Sequence, residues 1–295
     1  MAEVRSPTAR RRELGALLRA MRTEAGKTVE QVAESLLCSP SKVSRLETGH
    51  RGASARDIRD LCDLYGITDP VRREHLMTLA REGRSQAWWQ PYDLPYATYV
   101  GLEAAAVTIC DFEPGVFPGL LQTPGYARAI HEGAMPRLTQ AVIDQRIEVR
   151  NNRQNILART EPPPPRLQAI VDEAVLHRPI GGRSVMAGQL DHVVAACQLP
   201  HITVQVLPYA AGAHPALDST FILMEFADPI PGVVYVEGLV GQVYLERAED
   251  VRRYRSIFEH LGELSLSADD SVDMLIRARA AYATGCDLPS SSGTY

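Results

Sequence analysis

Residues 28–54, TVEQVAESLLCSPSKVSRLETGHRGAS, decide the reading of the amino-terminal part of this chain. Thr28 and Gln31 stand at the N-cap and N3 spacing of a capping box, in which each side chain bonds the other residue's backbone N–H. Val29, Val32, Ala33 and Leu36 then recur at i, i+3, i+4 and i+7, one face of a helix. Leu37 and Cys38 make a turn. Ser39 is a good N-cap, and Pro40 suits the first helical position, where its missing N–H costs nothing. In this second helix Val43 and Leu46 point inward, while Ser41, Ser44, Arg45 and Thr48 form the opposite stripe. Gly49 supplies the left-handed conformation that ends it.

Two short helices joined by a tight turn, the second showing small polar and basic side chains outward, make a helix-turn-helix. Such a motif places one helix in the DNA major groove. The flanks extend the pattern. Leu14, Leu17, Leu18 and Met21 predict an amphipathic helix closed at Gly26. Ser54 with Asp57 forms another capping box, followed by Ile58, Leu61, Cys62 and Tyr65 on one face. Asp69–Pro70 starts a fifth helix, with Leu76, Leu79 and Ala80 inward and an end near Gly83. The expectation is an all-α, five-helix domain over 8–84. Arg10, Arg11 and Arg12 read either as a basic arm for the minor groove or backbone, or as a disordered tail.

Charge is distributed to match. Residues 1–85 hold 16 Lys+Arg against 12 Asp+Glu, and the remaining residues hold 15 against 24. The positive part coincides with the helix-turn-helix, as attraction to phosphate requires. The acidic remainder is repelled by DNA and reads as a sensor, partner or assembly domain. With 295 residues the chain is long enough for two substantial cores. It has no run of 18 apolar residues and no apolar segment after its first arginines, so neither a membrane span nor a secretory signal is expected. Cys38, Cys62, Cys110, Cys197 and Cys286 are scattered without a C-x-x-C, which fits reduced thiols in a cytoplasmic protein.

The motif has a family likeness. Through Thr28, Ala33, Ser39, Ser41, Val43, Ser44, Arg45, Leu46, Glu47, Gly49 and Ser54, residues 10–66 resemble the Xre/Cro/C1 (lambda-repressor-like) helix-turn-helix family. The resemblance implies that Pro40, Ser41, Ser44 and Arg45 face base edges. It also implies an ion pair between Arg22 and Glu47. One position departs from the pattern: Val29 stands where the family often has a glutamine that touches phosphate and braces the recognition helix.

The individual roles follow from side-chain chemistry. Arg45 has the reach to bond guanine O6 and N7 together, worth roughly 1–3 kcal/mol of discrimination. Ser39, Lys42, Thr48 and Arg51 are assigned to phosphate, which positions the protein without reading sequence. On this reading Arg45→Ala relaxes sequence preference, while Lys42→Ala weakens all sequences alike. Each of these residues also has a plain alternative as a solvated surface side chain.

Residues 85–98 break the helical rhythm with prolines and aromatics and read as a linker. Trp88 and Trp89 fall here, and burial is favoured over ligand stacking. Helices are expected at 99–110, 123–132 and 138–159. In the last of these Arg146, Arg150 and Arg153 share a face, for which a solvated or partner-facing stripe is favoured over a phosphate or acidic-ligand site. Pro162 to Pro165 form a stiff spacer. The period then changes: 166–171, 202–207, 219–226, 232–237 and 241–245 are short, β-branched runs between Gly, Pro and Asp. They read as five strands, the last three a meander, with a helix near 184–198 and two more at 247–263 and 268–283. The expected fold class is therefore multidomain, with a C-terminal α+β domain over 99–283 built on a mostly antiparallel sheet. A flexible tail is expected over 284–295.

The strings DFEPGVFPGLLQTPGYARAI, VDEAVLHRPIGG, VQVLPYAAGAHPALDSTFILMEF and VVYVEG carry a second likeness. They resemble the domain that accompanies Xre-type helix-turn-helix domains in actinobacterial regulators of the toxin–antitoxin-like Scr family. That resemblance covers about residues 10–280. It implies a regulator whose gene often neighbours one for a small acidic protein, and establishes neither reaction nor ligand.

No catalytic constellation competes with this reading. Asp172, Glu173 and His177 lack the spacing of a zinc motif, and His201 and His214 flank a loop with no carboxylate at ligand spacing. The glycines of Gly181–Gly182 and PGVFPGLL fit no phosphate loop, and no nucleophile elbow is present. No cofactor and no metal are expected. The sequence thus describes a cytoplasmic regulator that binds double-stranded DNA as a homodimer, without membrane contact, under control of a partner protein or ligand. An antitoxin with autoregulatory DNA binding is a second possibility. A small-molecule sensor is a third, which an apolar cavity lined by Phe221, Met224 and Tyr235 would mark.

Overall fold

A computed structural model describes residues 6–92, 94–134 and 138–284. The expected tail beyond Thr284, Cys286 included, lies outside the described residues. The chain divides into two compact units. The first runs to Ala106 and takes in Phe226–Pro231. The second takes Val107–Glu225 and continues from Gly232.

Six α-helices are described in the first unit: α1 (Pro7–Glu24), α2 (Val29–Ser35), α3 (Pro40–Glu47), α4 (Ala55–Leu64), α5 (Pro70–Glu82) and α6 (Ala97–Glu103). Their ends are set by the expected caps. Thr28 and Gln31 bond reciprocally at the start of α2, as do Ser54 and Asp57 at α4, and the Asp69 side chain accepts from Val71 N at α5. The inward stripes meet in one core of Leu14, Leu18, Met21, Val32, Val43, Leu46, Ile58, Leu61, Leu76 and Leu79. At about 25 cal/mol per Å² of apolar surface removed from water, a buried leucine or isoleucine contributes roughly 1.5–3 kcal/mol.

The stretch 85–98, expected as a linker, contains a 3-10 turn at Gln90–Tyr92. Trp89 is buried and Trp88 lies edge-on to it, half exposed. α6 packs against α1, and the Ser6 hydroxyl donates to the Gly101 carbonyl at 2.7 Å.

Six strands and six α-helices are described in the second unit. In chain order they are β1 (Thr108–Glu113), α7 (Pro124–Ala134), α8 (Gln140–Gln154), β2 (Arg166–Asp172), α9 (Ala174–His177), α10 (Arg183–Ala196), β3 (Ile202–Leu207), β4 (Phe221–Glu225), β5 (Val233–Gly238), β6 (Gly241–Leu245), α11 (Ala248–Leu264) and α12 (Ala268–Thr284). The six strands form one sheet in the order β3-β2-β1-β4-β5-β6. β1, β4, β5 and β6 pair antiparallel in succession, whereas β1 with β2 and β2 with β3 pair parallel. The domain is α+β with a mostly antiparallel sheet, and the meander β4–β5–β6 stands where the sequence placed it.

Two expectations that bear on the sheet fail for identifiable reasons. The helix expected over 99–110 is instead α6 followed by β1, a central strand that the sequence reading missed. Ile109, Cys110, Asp111 and Phe112 are all buried, so β1 shows no alternation of polar and apolar residues, the usual sign of a strand. Phe221, Met224 and Tyr235 do not line one common cavity. Alternation along β4 sends Phe221 to the α11 side with Phe112, Leu223, Val234 and Phe258. Met224 and Ile222, the partner of Tyr235, point to the other side.

The two sheet edges differ. β3 is closed on its outer side: Val206 N donates to the Ser271 hydroxyl at 3.0 Å, and Leu266 N donates to the Val206 carbonyl at 2.9 Å. β6 ends the sheet with no strand beyond it among the described residues. Leu239 and Val240, at the tip of the β5–β6 hairpin, are fully exposed.

The Arg146, Arg150 and Arg153 stripe is not a solvated surface. Arg153 is buried, and the Arg150 guanidinium donates to the Gln122 side-chain oxygen. Both guanidiniums lie over Gly119, where an added Cβ would stand 3.3–3.4 Å from them. On α7, burial and the positive charges of Arg150 and Arg146 push the His131 imidazole down to about 4.

Candidate nucleic-acid interface

The site is built on α3, and the neighbours of α3 fix its pose. Val43 and Leu46 anchor its inner face in the core. Gly15 of α1 lies against its C-terminal end, where a Cβ would come within 2.5 Å of the Glu47 carbonyl oxygen. Gly49, at φ +72°, ends α3, and its Cβ position lies 2.8 Å from the Arg12 backbone. Only glycine tolerates both the left-handed conformation and this approach. The implied ion pair is present and bidentate. Arg22 Nε donates to Glu47 Oε1 at 2.6 Å and Nη2 to Oε2 at 3.1 Å, while Nη1 donates to the Lys27 carbonyl at 2.8 Å. The hydrogen bond to Glu47 raises the Arg22 pKa, against the effect of burial.

The outer face of α3 carries the expected set. Pro40, Ser41, Ser44 and Arg45 are all exposed. Each residue advances the helix by about 100°, so these four occupy one sector opposite Val43 and Leu46. The Arg45 side chain has no ion pair or hydrogen bond among the described residues.

The residues expected on phosphate are placed differently from one another. Ser39 is exposed, and its hydroxyl accepts from Lys42 N at 3.2 Å as the N-cap. Arg51 is exposed at the start of the loop after α3, tied to it by its backbone N–H on the Arg45 carbonyl at 2.9 Å. Lys42 does not project freely outward: Nζ lies 2.6 Å from Asp57 Oδ1, bridging α3 to α4. Burial of Asp57 opposes its ionisation, but bonds from Lys42, Ser54 N and the Ser54 hydroxyl prevail and lower its pKa. Thr48 is half-buried, its hydroxyl donating to the Ser44 carbonyl at 2.9 Å and lying 2.9 Å from His50 Nδ1.

Two further differences concern the flanks. Arg10–Arg12 form no free arm, because α1 already begins at Pro7. Arg10 pairs with Glu13 and Glu82, Arg11 donates to the Gly83 carbonyl at 3.0 Å, and Arg12 is buried. Val29, in place of the phosphate-touching glutamine, packs its side chain against the core instead. The turn holds Leu37 at φ +50° with 95 % of its surface exposed. A leucine in that conformation is uncommon.

Other groups singled out in the sequence have structural roles. The Glu173 carboxylate accepts from Tyr209 N at 2.8 Å, Asp172 accepts from Ala174 N at 2.8 Å, and His177 stacks on Tyr209. His201 bonds the Leu157 carbonyl at 3.0 Å. Among the described residues no group of three or more His, Cys, Asp or Glu could hold a metal ion. Nor is any described helix long and apolar enough to cross a membrane. Burial pushes the Cys110 and Cys197 thiols up to about 11, which keeps them protonated and unreactive.

A recognition helix packed at a fixed pose, with an unobstructed polar stripe and a free arginine, defines the first unit as a helix-turn-helix DNA-binding domain. The chain is a DNA-binding regulator in class. Residues 13–76 match the family described as helix-turn-helix domain. Residues 96–277 match the domain of unknown function DUF5753, and the chain belongs to that family. No curated protein and no solved structure matches it.

Proposed function

We propose that this chain is a cytoplasmic transcription regulator of the Xre/Cro/C1 type that reads duplex DNA through Pro40, Ser41, Ser44 and Arg45. The observation that carries the reading is the exposed, unpaired Arg45 on the outer face of α3. Ser39 and Arg51 grip phosphate on either side. Lys42 and Thr48 belong to this set only through contacts that leave the Asp57 pair and the Ser44 bond in place. One recognition helix reads few bases, so two copies act together on a pseudo-palindromic site.

The second unit receives the controlling signal, and its partner is a small acidic protein. The exposed hairpin tip of Leu239 and Val240 favours a protein over a metabolite, because paired apolar side chains at a sheet edge suit a docking surface. An antitoxin role is the same contact with a different consequence. It is tested by expressing the neighbouring gene alone, when growth arrest supports it.

Fluorescence anisotropy on DNA upstream of the chain's own gene tests the main reading. Binding at least about 1000-fold tighter than to random duplex supports it. A change on adding the neighbouring small protein supports partner control. Equal affinity for both duplexes refutes sequence-specific regulation.

A further inference from the structure

Beside α3 the first unit holds an open groove that the helix-turn-helix pattern does not account for. Its walls come from the α2–α3 turn, the loop 50–54, the start of α4 and the end of α5. Five cations line it, Arg11, Lys42, Arg51, Arg56 and Arg84, against two carboxylates, Asp57 and Asp60. The carboxylates are answered within the groove: Asp57 by Lys42 at 2.6 Å and Asp60 by Arg56 at 3.5 Å. Arg11 is turned toward the Gly83 carbonyl and the Thr8 hydroxyl. That leaves Arg51 and Arg84, both exposed, with no side-chain partner among the described residues.

These two arginines are 33 positions apart in sequence, and the fold brings their segments together. The Arg84 stem lies against the loop that starts at Arg51, since a Cβ on Gly52 would stand 3.4 Å from Arg84 Cγ. The groove therefore offers two unpaired guanidiniums next to the exposed stripe of α3. Guanidinium pairs of this kind match the geometry of phosphate oxygens.

We propose that this groove holds a backbone phosphate of the DNA strand that runs past α3, with Arg84 of α5 as a contact residue beside Arg51. The proposal rests on the DNA-binding reading and extends the contact surface beyond the helix-turn-helix to the end of the fifth helix. Both contacts are electrostatic and read no sequence, so they act alike on every duplex.

The test is anisotropy of the full-length chain on a cognate and a random duplex between 50 and 200 mM salt. Arg84→Ala lowers the slope of log affinity against log salt by about 1 and weakens both duplexes by the same factor, about 5- to 10-fold at 0.1 M salt. Arg84→Lys keeps most of the slope, and the Arg51→Ala/Arg84→Ala pair lowers it by about 2. Circular dichroism of the exposed-site variants should match that of the parent chain. Unchanged slope and affinity in Arg84→Ala, while the parent chain binds DNA, overturns the proposal. So does thermal stabilisation of the parent chain, but not of Arg84→Ala, by millimolar inorganic phosphate with DNA affinity unaltered, which would make the groove a free-anion site. A parent chain that binds no duplex at all overturns the DNA reading itself.

Discussion

The two units of this protein build their working parts from opposite ranges of sequence. In the first, the recognition face and most of what holds it come from residues 28–57, with Gly15 and Arg22 added from the helix just before. In the second, the central strand β1 pairs with β2 across 58 residues and with β4 across 109 to 117. The first kind of structure is announced by caps and stripes, which are local physics. The second depends on which segments meet, and a buried central strand carries little local signal.

Two carboxylates show the same contrast in charge. Asp57 sits at a helix N-terminus, bonded by Ser54 and paired with Lys42, and its pKa is lowered. Glu113 ends β1 among chain-distant groups. Burial and the negative charge of Asp111 raise its pKa well above the usual carboxylate range, against the Thr220 hydroxyl bond.

The sharpest way to break the comparison is in the second core. Phe112→Ala should cost about 3–5 kcal/mol, because Phe112 is fully buried against Phe221 at the centre of the sheet. Denaturant unfolding followed by circular dichroism reads this. A loss below about 1 kcal/mol would mean that the long-range core is not what holds β1.

Next in size is Gly15→Ala, expected to cost about 1–3 kcal/mol by overpacking the contact of α1 with α3. Because the backbone of α3 must shift, affinity for all duplexes should fall as well. Full DNA affinity in a destabilised variant would show that the pose of α3 does not depend on this contact.

Arg45→Ala should weaken the cognate duplex about 10- to 100-fold and random duplex little, the loss of one bidentate base contact. Equal losses on both would move Arg45 to the phosphate set. Lys42→Ala, by contrast, should now act mainly on stability, since its ammonium is already paired with Asp57.

The smallest expected effects are differences in slope with pH. Asp57 has a folded pKa below its unfolded value near 3.8, so its contribution is full above that pH and is lost as pH falls through the folded pKa. Asp57→Asn should therefore lose less stability than the parent chain as pH falls below about 4. Glu113 has a folded pKa above 4.5, so its contribution is full below that pH and is lost as pH rises. Glu113→Gln should flatten that decline and gain relative stability toward neutral pH. Parallel pH profiles for the two variants, from thermal melts, would contradict the opposite shifts.

Much of the first unit was legible in the sequence because its signals are short-range. Thr28, Ser39, Ser54 and Asp69 cap helices wherever the chain places them, and Leu14 to Leu79 fall inward by helical period alone. The exposed stripe of α3 follows from the same period. The Arg22–Glu47 pair was available only through family likeness. The pairing of Lys42 with Asp57 was not legible, because their distance is set by the angle between α3 and α4, which no periodicity encodes.

The sequence by itself determined the helix-turn-helix, its caps, the outward position of Arg45 and the meander of β4–β5–β6. Each of these depends on neighbours within a few residues, where backbone geometry fixes which side chains share a face. Tertiary structure alone decided that β1 is a strand rather than the end of a helix. It also turned Arg150 and Arg153 inward over Gly119 and brought Arg84 beside Arg51. In every one of these cases the deciding contact joins segments far apart in the chain, and its geometry exists only once the cores have packed.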